Sequence, residues 1–219
     1  MEVKELLEIA KKYYSLKELD TGGFTGFKVN GMKFDVHTYK AEGLGRISTM
    51  YAAGMFGAVK MTTFIVNPFD VDAPLLSIDR MNMMGNDLLY LEPFDTTLEH
   101  GFNEEDLTKV MEKNRAIPAN EVKENWYDHM RMKATDFKKG KKKDAADMDA
   151  YIKEYLDVFM KELTHTKKVS DPEEKKRRAA VYSDGLVANG GPSTDVFKKS
   201  FGDEKTKEFF DKVLFGVRG

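Results

Sequence analysis

The sequence predicts an α+β protein, a three-layer α/β/α sandwich built on a central, mainly antiparallel sheet, and three observations carry that prediction. Between Phe24 and Phe94, runs of alternating apolar and polar residues follow one another across turn-length gaps, the pattern of a meander and not of βαβ units. Met1–Lys17 and the chain after Pro93 instead carry apolar residues at helical spacing. The 219 residues, 25.0 kDa in all, show no internal repeat and no long linker. A chain of this length buries about 70% of its unfolded surface, so residues 1–219 read as a single domain.

The elements follow in order. Val3, Leu6, Leu7, Ala10 and Tyr14 predict one amphipathic helix over Met1–Lys17. Asn30-Gly31, between Phe24–Val29 and Met32–Lys40, predicts a tight hairpin, because both turn positions favour positive φ. Met32, Phe34, Val36 and Thr38 then share one face of their strand, and Lys33, Asp35, His37 and Tyr39 the other. Arg46–Tyr51, Met55–Val66, Leu75–Arg80 and Leu88–Phe94 follow as strands, punctuated by Gly43/Gly45, Asn67-Pro68 and Gly85-Asn86. Beyond Pro93, Asn103 caps a helix over Glu104–Arg115, Asn120 caps a short one reaching Trp126 and Tyr127, and Met130–Phe137 reads as a last strand. Met148, Tyr151, Ile152, Tyr155, Leu156, Phe159, Met160 and Leu163 form a continuous i, i+3, i+4 stripe. Asp171-Pro172 supplies the cap and first residue of the next helix. Ser193 or Thr194 starts another that Gly202 ends. Asp203 starts the last, which buries Phe209, Phe210, Val213 and Leu214 and stops at Gly216.

Composition narrows the function. Hydrophobic residues at 41%, charged residues at 33% and a mean hydropathy of -0.52 describe a soluble, folded chain. Lys+Arg 35 against Asp+Glu 37 leaves a net charge of -2, which excludes a globally basic nucleic-acid binder. With Cys 0 the chain has no disulfide, no Cys-ligated zinc, no iron–sulfur cluster and no thiolate nucleophile of its own. Any electrons it handles come from a partner or a dissociable cofactor. The N-terminal helix carries interspersed acids, unlike a signal peptide, and no apolar run approaches the ~18 residues that span a bilayer. A cytoplasmic protein with no membrane or nucleic-acid partner is expected.

Chemical motifs are sparse. GLGRIS at Gly43–Ser48 lacks the third glycine of a dinucleotide fingerprint and precedes a strand, so its glycines read as turn residues. Asp70-Val-Asp72 runs into Ala73-Pro74 and leaves no calcium loop. His37, His100, His129 and His165 lack metal spacing. Two dense basic clusters stand out. They are Lys138, Lys139, Lys141, Lys142 and Lys143, and Lys175, Lys176, Arg177 and Arg178. Each reads as a solvated turn or helix face, or else as a docking patch for an anionic partner. Methionine is abundant, 13 residues, with Met50, Met55, Met61, Met81, Met83 and Met84 in or between strands. Such soft side chains fill a core or line a pocket for a flat apolar ligand.

Two ordered blocks sharpen the reading. The first, TFIVNPFDVDAPLLSIDRMNMMGNDLLYLEPFD, has a strand ending Phe64–Pro68, a short acidic loop Asp70–Pro74, Leu75–Asp79, and a strand Leu88–Pro93 that ends on an acid-Pro pair. The second, from AYIKEYLDVF to the C-terminus, has a Tyr-x-x-Tyr-Leu helix, a helix bearing Tyr, a helix closing on Phe201-Gly202, and a final helix with Val213-Leu214-Phe215. Together they cover roughly half the chain and resemble the ferredoxin-dependent bilin reductases and the related red chlorophyll catabolite reductases. The resemblance implies an antiparallel sheet between two helical layers, with the pigment between the sheet and the C-terminal helices.

Carried over residue by residue, the resemblance matches Asp79 to the family's central aspartate, proton donor and partner of the bilin nitrogens. Strand alternation independently puts Leu75, Ser77 and Asp79 on one face and Leu76, Ile78 and Arg80 on the other. A carboxyl held against a flat macrocycle is desolvated, which raises its pKa toward a range useful for proton donation. The resemblance further implies pigment contacts from Met61, Thr63, Ser77, Asn189 and Asp195, and a propionate-binding cation at Lys138 or Lys139. The place of a histidine found in some members falls at Thr62 or Thr63, and that of a second aspartate falls at Gly191, with Asp184 or Asp195 as substitutes. The implied activity is reduction of a linear tetrapyrrole with no bound cofactor. Electrons come from external ferredoxin or flavodoxin docked on Lys141–Lys143 or Lys175–Arg178, protons from Asp79 and water, and one two-electron step is expected. The alternatives are a non-catalytic tetrapyrrole or hydrophobic-ligand binder and, on the Lys138–Lys143 run alone, a nucleic-acid binder.

Overall fold

The computed structural model describes residues 2–190 and 192–218. One short helix, α1 (Val3–Lys11), precedes seven strands: β1 (Leu16–Leu19), β2 (Gly26–Val29), β3 (Met32–Ala41), β4 (Gly45–Gly54), β5 (Val59–Pro68), β6 (Leu75–Met83) and β7 (Asn86–Phe94). Then come α2 (Glu105–Lys113), β8 (Asp136–Lys141), α3 (Ala145–His165), α4 (Pro172–Asn189), α5 (Pro192–Phe201) and α6 (Asp203–Glu208), which runs into a π-helical turn over Phe209–Leu214. The strands form one sheet in the order β1-β3-β4-β5-β6-β7-β8, with β2 also paired to β3, and every pairing is antiparallel. Helices cover both faces, so the architecture is the α/β/α sandwich the sequence predicts.

Two cores hold the layers. On one face Ile47, Phe64, Ile78 and Leu91 pack against α1, α2 and the Tyr151, Tyr155 and Phe159 stripe of α3. On the other, Phe34, Val36, Met50, Ile65, Leu75 and Phe94 pack against α4–α6 through Tyr182, Phe197, Phe209 and Phe210. Each such side chain contributes roughly 1.5–3 kcal/mol when fully buried. At the Asn30-Gly31 turn both residues adopt positive φ, 48° and 77°, as the hairpin requires. Gly45 is constrained by contact. Its φ is 141°, and a Cβ there would lie 2.5 Å from the Asn67 carbonyl oxygen, where β4 begins against β5. GLGRIS is thus a close strand turn.

Four elements differ from expectation. The first helix stops at Lys11, because Leu16–Leu19 leave it to pair with β3 as an added strand. Met55 does not begin a strand. Met55 and Phe56 form a tip with positive φ, 49° and 55°, and β5 starts at Val59. No helix forms over 120–127, since Asn120 donates its backbone N–H to Phe137 across a chain reversal. The last strand lies at 136–141, later than Met130–Phe137, so the first lysine cluster begins within an edge strand.

The second lysine cluster is not the surface patch expected of it. Lys175 is 0% exposed, and its Nζ donates to the Ala73 carbonyl at 2.5 Å, the Thr96 carbonyl at 2.7 Å and Thr96 Oγ1 at 3.0 Å. It faces inward because it shares a face of α4 with Ala179 and Tyr182. Lys176 pairs with Glu173 at 2.9 Å, Arg177 with Glu174 at 2.7 Å, and Arg178 donates to the Thr97 carbonyl. Lys175 therefore cannot dock a partner; Lys176 and Arg177 pair with acids of their own helix, and Arg178 is tied to the segment after β7.

Burial lowers Lys175 to about 8 from its usual 10.5, with Asp72 and Asp95 opposing the shift. Between those values the unfolded chain holds the extra proton, so Lys175's contribution to stability improves as pH rises through that window. Lys175→Met removes the cation and its bonds to the Ala73 and Thr96 carbonyls and to Thr96 Oγ1. The stability difference between native protein and variant, from urea unfolding, should therefore widen by about 3 kcal/mol between pH 7.5 and 10.5. A difference that does not change with pH would show that Lys175 is not held as a buried cation.

Candidate active site

Strand register assembles the site on the sheet face covered by α4–α6. Across the sheet Met50, Thr63, Asp79, Tyr90 and Phe137 stand directly opposite one another in successive strands. The neighbouring row is Ser48, Ile65, Ser77 and Glu92, and the row on the other side runs Ala52, Met61, Met81, Leu88 and Lys139. Period-2 alternation sends all of these to one face.

Asp79 is the centre. Thr63 Oγ1 donates to its Oδ1 at 2.5 Å and Ser77 Oγ to its Oδ2 at 2.9 Å. Desolvation raises its pKa, and the two hydroxyl bonds only partly oppose that rise. Hydroxyls orient the carboxyl without neutralising it, and no cation contacts it. Burial therefore favours its protonated form relative to a carboxyl in water.

A second carboxyl lies one row away. Glu92, 7% exposed, accepts from Arg131 Nε at 2.9 Å and Nη2 at 2.8 Å, both on Oε1. Arg131 also donates to Asp128, and its guanidinium lies 4.8 Å from the Phe137 ring centroid and 5.0 Å from that of Tyr127. Even so, burial pushes Glu92 up to about 7, with Arg131 opposing the shift and Asp79 and Asp128 adding to it.

Facing these carboxyls, Tyr182 of α4 stacks on Phe94 at 4.2 Å, with Tyr127 and Trp126 edge-on to each other at 5.2 Å beside it. Burial raises Tyr182 well above its usual range and Tyr127 to about 12, so both are neutral hydroxyls at physiological pH. Trp126 lies directly on α4, where a Cβ on Gly185 would meet its ring at 2.0 Å. Its Nε1 is buried with no hydrogen-bond partner. Met61, Met81, Leu88, Tyr90, Phe137 and Leu186 remain part-exposed around the cluster.

The remaining residues expected in the site are scattered. Lys138 points to the opposite face, where it is buried and pairs with Asp136 at 3.2 Å; strand parity makes Lys139 the lysine of this face, exposed at the sheet edge. Thr62 likewise faces away, and Thr63 takes the place beside Asp79. Asn189 is exposed and donates to the Gly185 carbonyl, and Asp195 is exposed at the start of α5. Asp184 is bound by Arg218 and Lys207, which hold its carboxyl low, so it is no proton donor. Gly191 lies outside the described residues. Among those described, no group of three or more His, Asp or Glu is placed to hold a metal. Glu92, Arg131, Tyr127 and Tyr182 were not singled out from sequence. Glu92 alternates with Tyr90 on β7, a readable signal, but the approach of Arg131 is a tertiary contact.

The far face of the sheet carries a groove of about 1020 Å³, lined by Tyr51, Lys60, Thr62, Arg80 and Lys142. It is walled off from Asp79 by the sheet.

No family model matches the sequence, and no curated protein matches it by sequence. Among solved structures the chain is similar to the phytochromobilin synthase from tomato in complex with biliverdin. The TM-score is 0.78, with 99% of this chain and 83% of that one covered at 11% sequence identity. That likeness shows the fold, an antiparallel sheet between helical layers.

Arg131→Met would leave Glu92 buried without its cation. The variant should lose roughly 3 kcal/mol of stability at pH 8. The loss should shrink as pH falls below about 7, where Glu92 is already protonated. Urea unfolding at the two pH values reads this directly, and an equal loss at both would show that the pair carries no buried charge.

Proposed function

We propose that the protein reduces a linear tetrapyrrole of the biliverdin class, bound between the sheet and α4–α6. Asp79 delivers a proton and an external ferredoxin or flavodoxin supplies single electrons. The observation that carries this reading is Asp79 itself, a desolvated carboxyl held by two hydroxyls under a wall of aromatic rings. Support comes from the fold, shared with a protein solved in complex with biliverdin. The part-exposed methionines and aromatic rings beside Asp79 offer a flat apolar surface, and Lys139 at its rim offers a cation for a propionate.

Reduction by one double bond takes two electrons and two protons. The bound pigment is protonated from the Asp79 side, accepts one electron, and after a second electron and proton leaves as the dihydro product. The chain's part is to orient the pigment on the sheet, exclude water with α4, and hold the proton at the Asp79 carboxyl.

Biliverdin added anaerobically to the pure protein should shift its visible bands and quench Trp126, the one tryptophan, which lies at the edge of the site. Reduced ferredoxin should then convert it, and Asp79→Asn should slow that conversion by ~10²-fold with the fold intact. A shift without turnover would assign a tetrapyrrole-binding protein, and no shift would overturn both readings.

Docking of the electron carrier falls to Lys141, Lys142 and Lys143, exposed beside the end of β8. Reversing these three to Glu should slow ferredoxin-dependent turnover and flatten its salt dependence without changing biliverdin affinity. Turnover independent of salt in the native protein would contradict electrostatic docking.

A further inference from the structure

The second carboxyl on the sheet uses only one of its two oxygens in its ion pair. Glu92 is nearly as buried as the core, yet both of its hydrogen bonds fall on Oε1, and Oε2 has no hydrogen-bond partner among the described residues. Glu92 also stands opposite Ser77, the residue that orients Asp79, which makes the two carboxyls diagonal neighbours on one face. Diagonal pairs across antiparallel strands lie roughly 7–8 Å apart, a separation that one conjugated macrocycle spans.

We propose that Glu92 is a second proton donor to the bound tetrapyrrole, acting through Oε2 while Arg131 holds Oε1. The inference rests on the tetrapyrrole-reductase reading above and replaces water with a fixed acid for the second proton. The balance is then complete for one two-electron reduction. Two reduced one-electron carriers give one electron each, and Asp79 gives one proton. The O–H bond of Glu92 breaks as a C–H bond forms on the pigment radical, and both carboxylates recover their protons from water. The negative charge left on Glu92 is held by Arg131, whose guanidinium is itself fixed by Asp128 and the Phe137 ring.

The groups facing Glu92 define how it titrates. They are Arg131 and Asp128 from the segment before β8, Asp79 from β6, Tyr127 beside Arg131, and Tyr182 from α4. One cation against two acids and two neutral phenols, with burial, puts Glu92 at about 7, able both to give and to regain a proton near that pH.

The test is Glu92→Gln, whose amide carbonyl still accepts from Arg131, assayed with biliverdin and reduced ferredoxin. The native rate should fall as pH rises through about 7. In the variant, turnover should drop ~10²-fold with KM unchanged, that pH limb should vanish, and a one-electron-reduced pigment radical should accumulate in its electron spin resonance spectrum. Arg131→Met gives an independent reading, because losing the cation should move the native limb to higher pH. Native turnover and pH limb in Glu92→Gln would overturn the role of Glu92 and leave the reductase reading standing. Failure of the native protein to bind biliverdin would overturn both.

Discussion

Everything at the site depends on the register of β5, β6 and β7. Asp79 and Arg80 are adjacent in β6, so alternation must send them to opposite faces, and both faces are covered by helices. Arg80, 4% exposed, is taken up on the α3 side by Asp87, which accepts from Nε at 2.8 Å and Nη2 at 2.5 Å, and by Asp149. Asp79 meets only hydroxyls on the other. A slip of one residue would exchange them, driving a guanidinium among Tyr127, Tyr182 and Phe94 and a carboxylate against Asp87 and Asp149. Breaking a buried ion pair costs roughly 3–5 kcal/mol, and a slip would add a misplaced hydrophobic set to that. The paired charge on one face thus fixes the unpaired carboxyl on the other.

The same sheet separates two chemistries. On the α1–α3 side, charges are matched: Arg80 with two aspartates, Lys138 with Asp136, and Tyr151 donating to Asp136 at 2.5 Å. On the α4–α6 side, Glu92 and Asp128 share the Arg131 guanidinium, and Asp79 has only hydroxyl partners among the described residues. Burial there raises pKa values because compensation is incomplete, and groups of that kind mark functional sites more often than structural ones. The groove near Arg80 holds about 1020 Å³, yet Arg80 at its floor is already paired with Asp87 and Asp149. The Asp79 face has the acid and, in Trp126 Nε1, a buried donor with no partner among the described residues.

Much of this was legible in the sequence. Asn30-Gly31, the Met148–Leu163 stripe and Asp171-Pro172 each appear where local chemistry demands them. Asp79 and Ser77 could be placed on one face from alternation alone, whereas the choice between Thr62 and Thr63 needed the β5–β6 register. What escaped were features that only tertiary pairing decides. Leu16–Leu19 continues a helical apolar pattern but is captured as a strand by β3. Lys138 and Lys139 look equivalent until β7 sets their parity. Lys175 sits in a basic run like a surface residue, and its burial follows from the face of α4 that Ala179 and Tyr182 turn inward. Glu92 needed Arg131, 39 residues away, to become visible as a site residue.

The central claim is that a tetrapyrrole lies on the Asp79 face. A crystal structure of the protein with biliverdin, grown without reductant, tests it most directly. The account predicts the pigment between β6 and α4, its pyrrole nitrogens at the Asp79 carboxyl and its edge toward Glu92 Oε2. Pigment seated in the groove beside Arg80 and Lys142, with the Asp79 face closed by its own side chains, would contradict it.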